Sequence, residues 1–160
     1  MNGRFVSAAP DAIRDRRGAP VDLIVIHTME GTLKGSIAWF ATPGRAVPTA
    51  AHYLIGDSGE VVQMVPDANK ALHAKGVNER SIGIEHEGYA ANGGFAAPML
   101  SASAHVVAIL CKKYGIPIDR AHIVGHSECP GNDHTDPGGL WPWESYMALV
   151  AGFARGDSTG

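Results

Sequence analysis

The chain has 160 residues, is 45% hydrophobic and 18% charged, and carries a formal net charge of −3. That composition suits one domain with one core and excludes a nucleic-acid binder held by phosphate contacts. No run of about 18 apolar residues is present, which excludes a membrane-spanning helix. Residues 1–20 read as an irregular N-terminal arm ending at Gly18-Ala19-Pro20, and Arg14-Asp15-Arg16-Arg17 within it reads as a solvated turn. Its opening, Met1-Asn2-Gly3-Arg4-Phe5, has no long apolar stretch, so no secretory signal peptide is expected. Val21-Asp22-Leu23-Ile24-Val25-Ile26 is a β-branched apolar run expected to form a buried central strand, with His27 and Thr28 at its C-terminal end. Leu33, Ile37 and Phe40 fall at helical spacing, so a short helix is expected over 36–41, stopped by Thr42-Pro43-Gly44. The segments 52–55 and 61–65 flank Gly56-Asp57-Ser58-Gly59, a hairpin signal. In Ser81-Ile82-Gly83-Ile84-Glu85-His86-Glu87 the apolar residues alternate, which puts Glu85 and Glu87 on the face opposite Ile82 and Ile84. The strongest helix signal starts at Leu100 or Ser101 and runs to Tyr114, with Gly115 as its stop. A short strand over 121–124, a terminal helix over 142–153 and a polar tail over 155–160 complete the chain. The order of elements predicts an α/β fold: one domain over 21–154, with a mixed central β-sheet flanked by helices.

The chemistry concentrates in residues 124–138, where His126, Glu128, Cys129, Asp133, His134 and Asp136 lie among Gly, Pro and Asn. Such a segment is a loop, and a loop crowded with metal-ligand residue types needs a chemical reason. Catalytic zinc takes three protein ligands from His, Asp, Glu or Cys. His27, His52, His73, His86, His122, His126, His134, Asp136 and Cys129 are all candidates, and spacing alone leaves several triads open. Position favours His27, at the end of a strand. His122 lies inside a strand, His86 points to the apolar side, and His105 sits on a helix surface. Cys111 reads as a buried thiol on an apolar helix, and a Cys111–Cys129 disulfide is one reading of the two cysteines.

Five strings, taken together and in this order, resemble the zinc-dependent N-acetylmuramoyl-L-alanine amidases of the amidase-2 type, a superfamily that includes phage endolysins and the peptidoglycan recognition proteins. They are Ile24-Val25-Ile26-His27-Thr28, Ala51-His52-Tyr53-Leu54-Ile55, Ala71-Leu72-His73-Ala74-Lys75-Gly76, Asn78-Glu79-Arg80-Ser81-Ile82-Gly83-Ile84-Glu85, and Gly125-His126-Ser127-Glu128 through Asp136-Pro137-Gly138. The resemblance implies zinc as cofactor, with His27, His126 and Asp136 as its ligands. It implies Glu85 as general base and His134 as the group that stabilises the oxyanion. His52 then becomes a structural or pocket residue, His52 and His73 are the expected substrate contacts, Cys129 becomes a loop residue, and Glu87 is a solvated or supporting carboxylate. Some relatives carry a Tyr where this chain has Ala51, which leaves the base role to Glu85. The implied reaction is hydrolysis of the amide between muramic acid and L-alanine in bacterial peptidoglycan. A binding module without catalysis and a zinc peptidase acting within the stem peptide are the alternatives. The expected setting is a monomer without nucleic-acid or membrane partners. It would be made in the cytoplasm and would reach the wall as a phage endolysin does, or remain cytosolic as a recycling amidase.

Overall fold

The computed structural model describes residues 3–156. In chain order its elements are β1 (Gly3–Phe5), β2 (Ile13–Asp15), β3 (Leu23–Thr28), α1 (Leu33–Ala41), β4 (Tyr53–Ile55), β5 (Val61–Gln63), β6 (Asn69–Ala71), β7 (Ser81–His86), α2 (Ala97–Tyr114), β8 (Ile123–Gly125) and α3 (Trp143–Arg155). Six strands form one sheet in the order β1-β5-β4-β7-β3-β8, and β2 pairs with β6 in a separate antiparallel ribbon. Within the large sheet only β4 and β5 run antiparallel, as the hairpin signal requires.

The β3 run LIVIHT is buried along its whole length, because β7 and β8 flank it and both its faces are covered. Strand alternation sorts its side chains. Ile24 and Ile26 join Ile82 and Ile84 of β7 against α2 and α3, in a core with Val107, Leu110 and Tyr146. Leu23 and Val25 face the other way, against Ala74, Val77 and Cys129. A further cluster under α1 holds Leu33, Phe40, Leu54, Val62 and Met64, together with Ala8 and Ala12. Helices therefore cover both faces, and α2 packs along α3.

Helix ends follow local chemistry. Thr32 caps α1, its hydroxyl accepting from the Gly35 N–H at 3.1 Å, so the helix begins three residues before the expected start. α2 also starts early, with Pro98 in its first turn, and it ends where Gly115 adopts φ 69°.

The N-terminal segment departs from the expectation of an irregular arm. β1 adds a parallel edge strand beside β5, and β2 pairs with β6. Nor is Arg16 part of a solvated turn: it is 5% exposed and spends its guanidinium on backbone carbonyls. Its Nε donates to Asp67 O at 2.8 Å, its Nη1 to Glu79 O at 2.8 Å and its Nη2 to Ser81 O at 2.9 Å. Arginine's fork of donors makes that burial tolerable. Cys111 and Cys129 are both free and buried, so the disulfide reading does not hold. The expected polar tail lies largely in residues 157–160, outside the described residues.

Candidate metal centre

Alternation on β3 puts His27 on the same face as Leu23 and Val25, and the parallel register sets it beside Glu85 of β7. β8 ends at Gly125, and a 3₁₀ turn over His126–Glu128 follows immediately. The loop then returns, with the Ser127 N–H donating to Asp136 O at 2.9 Å. This brings Asp136 between two imidazoles. His27 Nδ1 lies 3.0 Å from Asp136 Oδ2, and His126 Nδ1 lies 3.1 Å from Asp136 Oδ1. One donor atom from each of the three buried residues falls within 4.8 Å of the others. Cys129 stays outside this cluster, its thiol turned to Gly125 O and packed among Leu23, Val25, Ala74 and Val77.

The proton positions fit a cation. Asn132 Nδ2 faces two carbonyls, Lys75 O at 3.1 Å and Cys129 O at 3.4 Å, so its Oδ1 is the atom that accepts from His126 Nε2 at 2.8 Å. A proton on Nε2 leaves the neutral ring a lone pair on Nδ1, aimed at the Asp136 carboxylate. A lone pair facing an anion across 3.1 Å is repulsive without a cation between them. Burial lowers the His27 pKa, which keeps that ring in the neutral, ligating form. Two imidazole nitrogens and one carboxylate are a donor set that suits zinc.

Glu85 stands beside this cluster. Burial, with the charges of Asp136 and Glu30 behind it, pushes its pKa up to about 8, and its Oε2 is buried without a hydrogen-bond partner. A cleft of about 480 Å³ reaches Glu85 and Asp136 past Thr28, Glu30 and Trp39. A second lobe of about 600 Å³ extends past Lys75, Asn132 and Asp133. His73, His126 and His134 line both lobes. The His134 side chain is 62% exposed, its Nδ1 is 3.8 Å from Asp136 Oδ1, and its ring stacks on His126 at 4.3 Å. It therefore faces the cleft at the edge of the cluster.

The two expected substrate contacts, His52 and His73, differ in where they lie. His52 is fully buried and lines neither lobe, which matches the structural of its two expected readings. Its Nδ1 accepts from the Gly83 N–H at 3.0 Å, and its Nε2 donates to Asn69 O at 3.1 Å. His73 does border the cleft, but its Nδ1 lies 3.0 Å from His27 Nε2, behind the metal-facing ring. Glu87 clamps an element end: it accepts from the Leu33 N–H and the Asp57 N–H, each at 2.9 Å.

Sequence reasoning passed over Asn132, although it lies in the histidine-rich loop, and over the support beneath His27. Behind β3, His86 Nδ1 donates to His27 O at 2.8 Å, and its Nε2 accepts from the Ser103 hydroxyl at 2.6 Å. Ser103 in turn bonds the Tyr146 hydroxyl at 2.7 Å. This chain ties α2 and α3 to the backbone of the metal-facing strand. Its only trace in the sequence is a histidine on the apolar side of β7.

A buried imidazole–imidazole–carboxylate cluster with a high-pKa carboxylate beside it, at the end of a mixed sheet, defines a zinc-dependent hydrolase. The chain belongs to the amidase-2 family, the N-acetylmuramoyl-L-alanine amidases, whose family model matches residues 17–139. N-acetylmuramoyl-L-alanine amidase A of Achromobacter lyticus is 39% identical over 148 residues, covering 81% of this chain and 82% of that protein. The 1,6-anhydro-N-acetylmuramyl-L-alanine amidase AmpD of Salmonella typhimurium is 34% identical over 64% of this chain, a match that spans 57% of that protein. A selenomethionine derivative of AmpD superposes with a TM-score of 0.81 at 26% identity, over 92% of this chain and 94% of that one. The amidase LysC of Clostridium intestinale shares the fold, with a TM-score of 0.72 at 19% identity over 94% of this chain and 98% of that one.

Proposed function

We propose that this protein hydrolyses the amide joining the lactyl group of N-acetylmuramic acid to the L-alanine of the peptidoglycan stem peptide, with zinc as its cofactor. The observation that carries the reading is the His27, His126 and Asp136 cluster next to buried Glu85 in a chain of the amidase-2 family. When bound, zinc supplies Lewis acidity toward the scissile carbonyl and lowers the pKa of the attacking water toward about 7. Glu85, in its carboxylate form, takes a proton from that water. Its buried site favours the neutral acid, so it holds the proton until it passes to the departing alanine nitrogen. His134, at the cleft edge, donates a ring N–H to the oxygen that becomes negative as water adds to the carbonyl. Water and amide are consumed, and a lactyl carboxyl group and a free amine are formed.

The test is product analysis on purified cell wall. Free lactyl carboxyl groups with new N-terminal alanine are expected. New termini elsewhere in the stem would indicate a peptidase, and no release would indicate a binding module. Glu85→Gln should retain one equivalent of zinc and lose roughly 10²–10⁴-fold in turnover. His126→Ala should lose the metal. A Glu85→Gln enzyme with wild-type turnover would reject Glu85 as the base.

The setting forms part of the proposal. The protein acts as a monomer on the cell wall in the manner of an endolysin, without nucleic-acid or membrane partners. Among the described residues, no helix is long and apolar enough to cross a membrane. The AmpD relatives, named for 1,6-anhydro substrates, support a cytosolic recycling role as a second reading. Comparing turnover on intact peptidoglycan with turnover on a soluble anhydro-muropeptide separates the two.

A further inference from the structure

We propose that Ser81 and His73 are positioning residues that set which nitrogen of His27 is free to bind zinc, so that a hydroxyl two hydrogen bonds away from the ligand nitrogen's ring controls metal affinity. The proposal rests on the zinc reading above. The Ser81 hydroxyl donates to Val77 O at 2.8 Å, and a carbonyl can only accept, so the hydroxyl's single proton is committed there. Toward His73 Nε2, 3.0 Å away, the Ser81 oxygen can then only accept. His73 therefore carries its proton on Nε2 and presents a lone pair on Nδ1. That lone pair faces His27 Nε2 at 3.0 Å and accepts from it. His27 is left protonated on Nε2, with its lone pair on Nδ1, the atom 3.0 Å from Asp136 Oδ2. Second partners that fix the tautomer of a ligating histidine are worth about 10–100-fold in metal affinity.

The surrounding backbone is shaped for this relay. Asn78 Oδ1 accepts from the backbone N–H groups of His73 and Ala74, at 2.9 and 2.7 Å, and pins the turn that carries the ring. The ring lies against β7 at Gly83, where an added Cβ would stand 2.5 Å from His73 Nδ1. Ser81 and Gly83 share one face of β7, so the strand supplies both the acceptor and the space.

Ser81→Ala removes the acceptor for His73 Nε2–H. The His73 ring can then hold its proton on Nδ1 and donate to His27, which moves the His27 proton onto the ligating nitrogen. The expected result is at least about a tenfold loss of zinc affinity in competition with a chromophoric chelator at fixed pH. In ¹⁵N spectra of the metal-free protein, His27 Nδ1 should be pyridine-like in the wild type and shift toward pyrrole-like in Ser81→Ala. His73→Asn provides the rescue: its Oδ1 replaces Nδ1 as acceptor and should keep wild-type affinity, whereas His73→Leu should lose it. Unchanged affinity and unchanged His27 nitrogens in Ser81→Ala would overturn the proposal. Should Ser81→Ala fail to fold, equal zinc affinity in His73→Asn and His73→Leu would overturn it. A wild-type protein that binds no zinc would instead refute the zinc reading itself.

Discussion

His126 and His52 have the same side chain and opposite surroundings. At His126 one nitrogen is tied to Asn132, and the other is left facing a carboxylate where a cation belongs. At His52 the Gly83 N–H and Asn69 O use both nitrogens, and the Arg16 guanidinium lies 2.8 Å from Nε2. Burial, reinforced by that cation, drives the His52 pKa down to about 3. The unfolded chain takes up a proton at this residue near pH 6.5, and the folded protein does so only near 3. His52 thus contributes stability that is complete above pH 6.5 and is lost as pH falls toward 3, at up to about 1.4 kcal/mol per pH unit. His52→Asn keeps an oxygen in place of Nδ1 to accept from Gly83 but cannot titrate. Urea unfolding across this window should therefore give a shallower loss of stability for the variant than for the wild type. Parallel profiles would show that His52 does not titrate on unfolding.

Elements meet at this site through their ends, and Glu87 shows how one end is held. It lies just past β7, where its carboxylate receives the first N–H of α1 and the Asp57 N–H of the β4–β5 turn. An anion at a helix N-terminus also suits the helix dipole. Glu87→Ala should cost about 1–2 kcal/mol in denaturant unfolding and leave zinc stoichiometry unchanged. A loss of zinc would place Glu87 in the metal centre instead. The alternation in β7 puts Glu87 on the Glu85 face, but the partners it meets depend on α1 and a turn that no local pattern links to it. The same limit explains what else was legible. β3, β7, α2 and α3 announce themselves by period and by caps, and His27 and Glu85 inherit their places from strand alternation. β1, β2 and β6 have three residues each, too few to show a period, and their pairing partners lie far along the chain. His52 was visible as part of a motif, but its burial is created by Arg16 and β6. Ser81 in a strand carries no local sign of its role, because that role depends on the orientation of one proton.

At the scale of the molecule, the N-terminal segment is built into the domain rather than leading up to it. The boundary expected at residue 21 leaves out Arg16, whose donors satisfy carbonyls of Asp67, Glu79 and Ser81, on two separate stretches of chain. Without that side chain the buried Asp67 and Ser81 carbonyls each lose a donor, at about 1–3 kcal/mol, and the more exposed Glu79 carbonyl loses less. Domains of this kind are stable by only about 5–15 kcal/mol in total. Arg16→Met, which keeps length and apolar bulk, should therefore lower stability by several kcal/mol. Arg16→Lys should recover only part of the loss, since one ammonium cannot reproduce the spread of the fork. The effect should also extend to the metal centre. Arg16 Nη2 holds Ser81 O, while the Ser81 hydroxyl bonds His73, so loosening one backbone carbonyl disturbs the support of His27. Denaturant midpoints and zinc affinity measured on the same Arg16→Lys protein should fall together. A destabilised variant with unaltered zinc affinity would show that the N-terminal segment stabilises the fold without reaching the site.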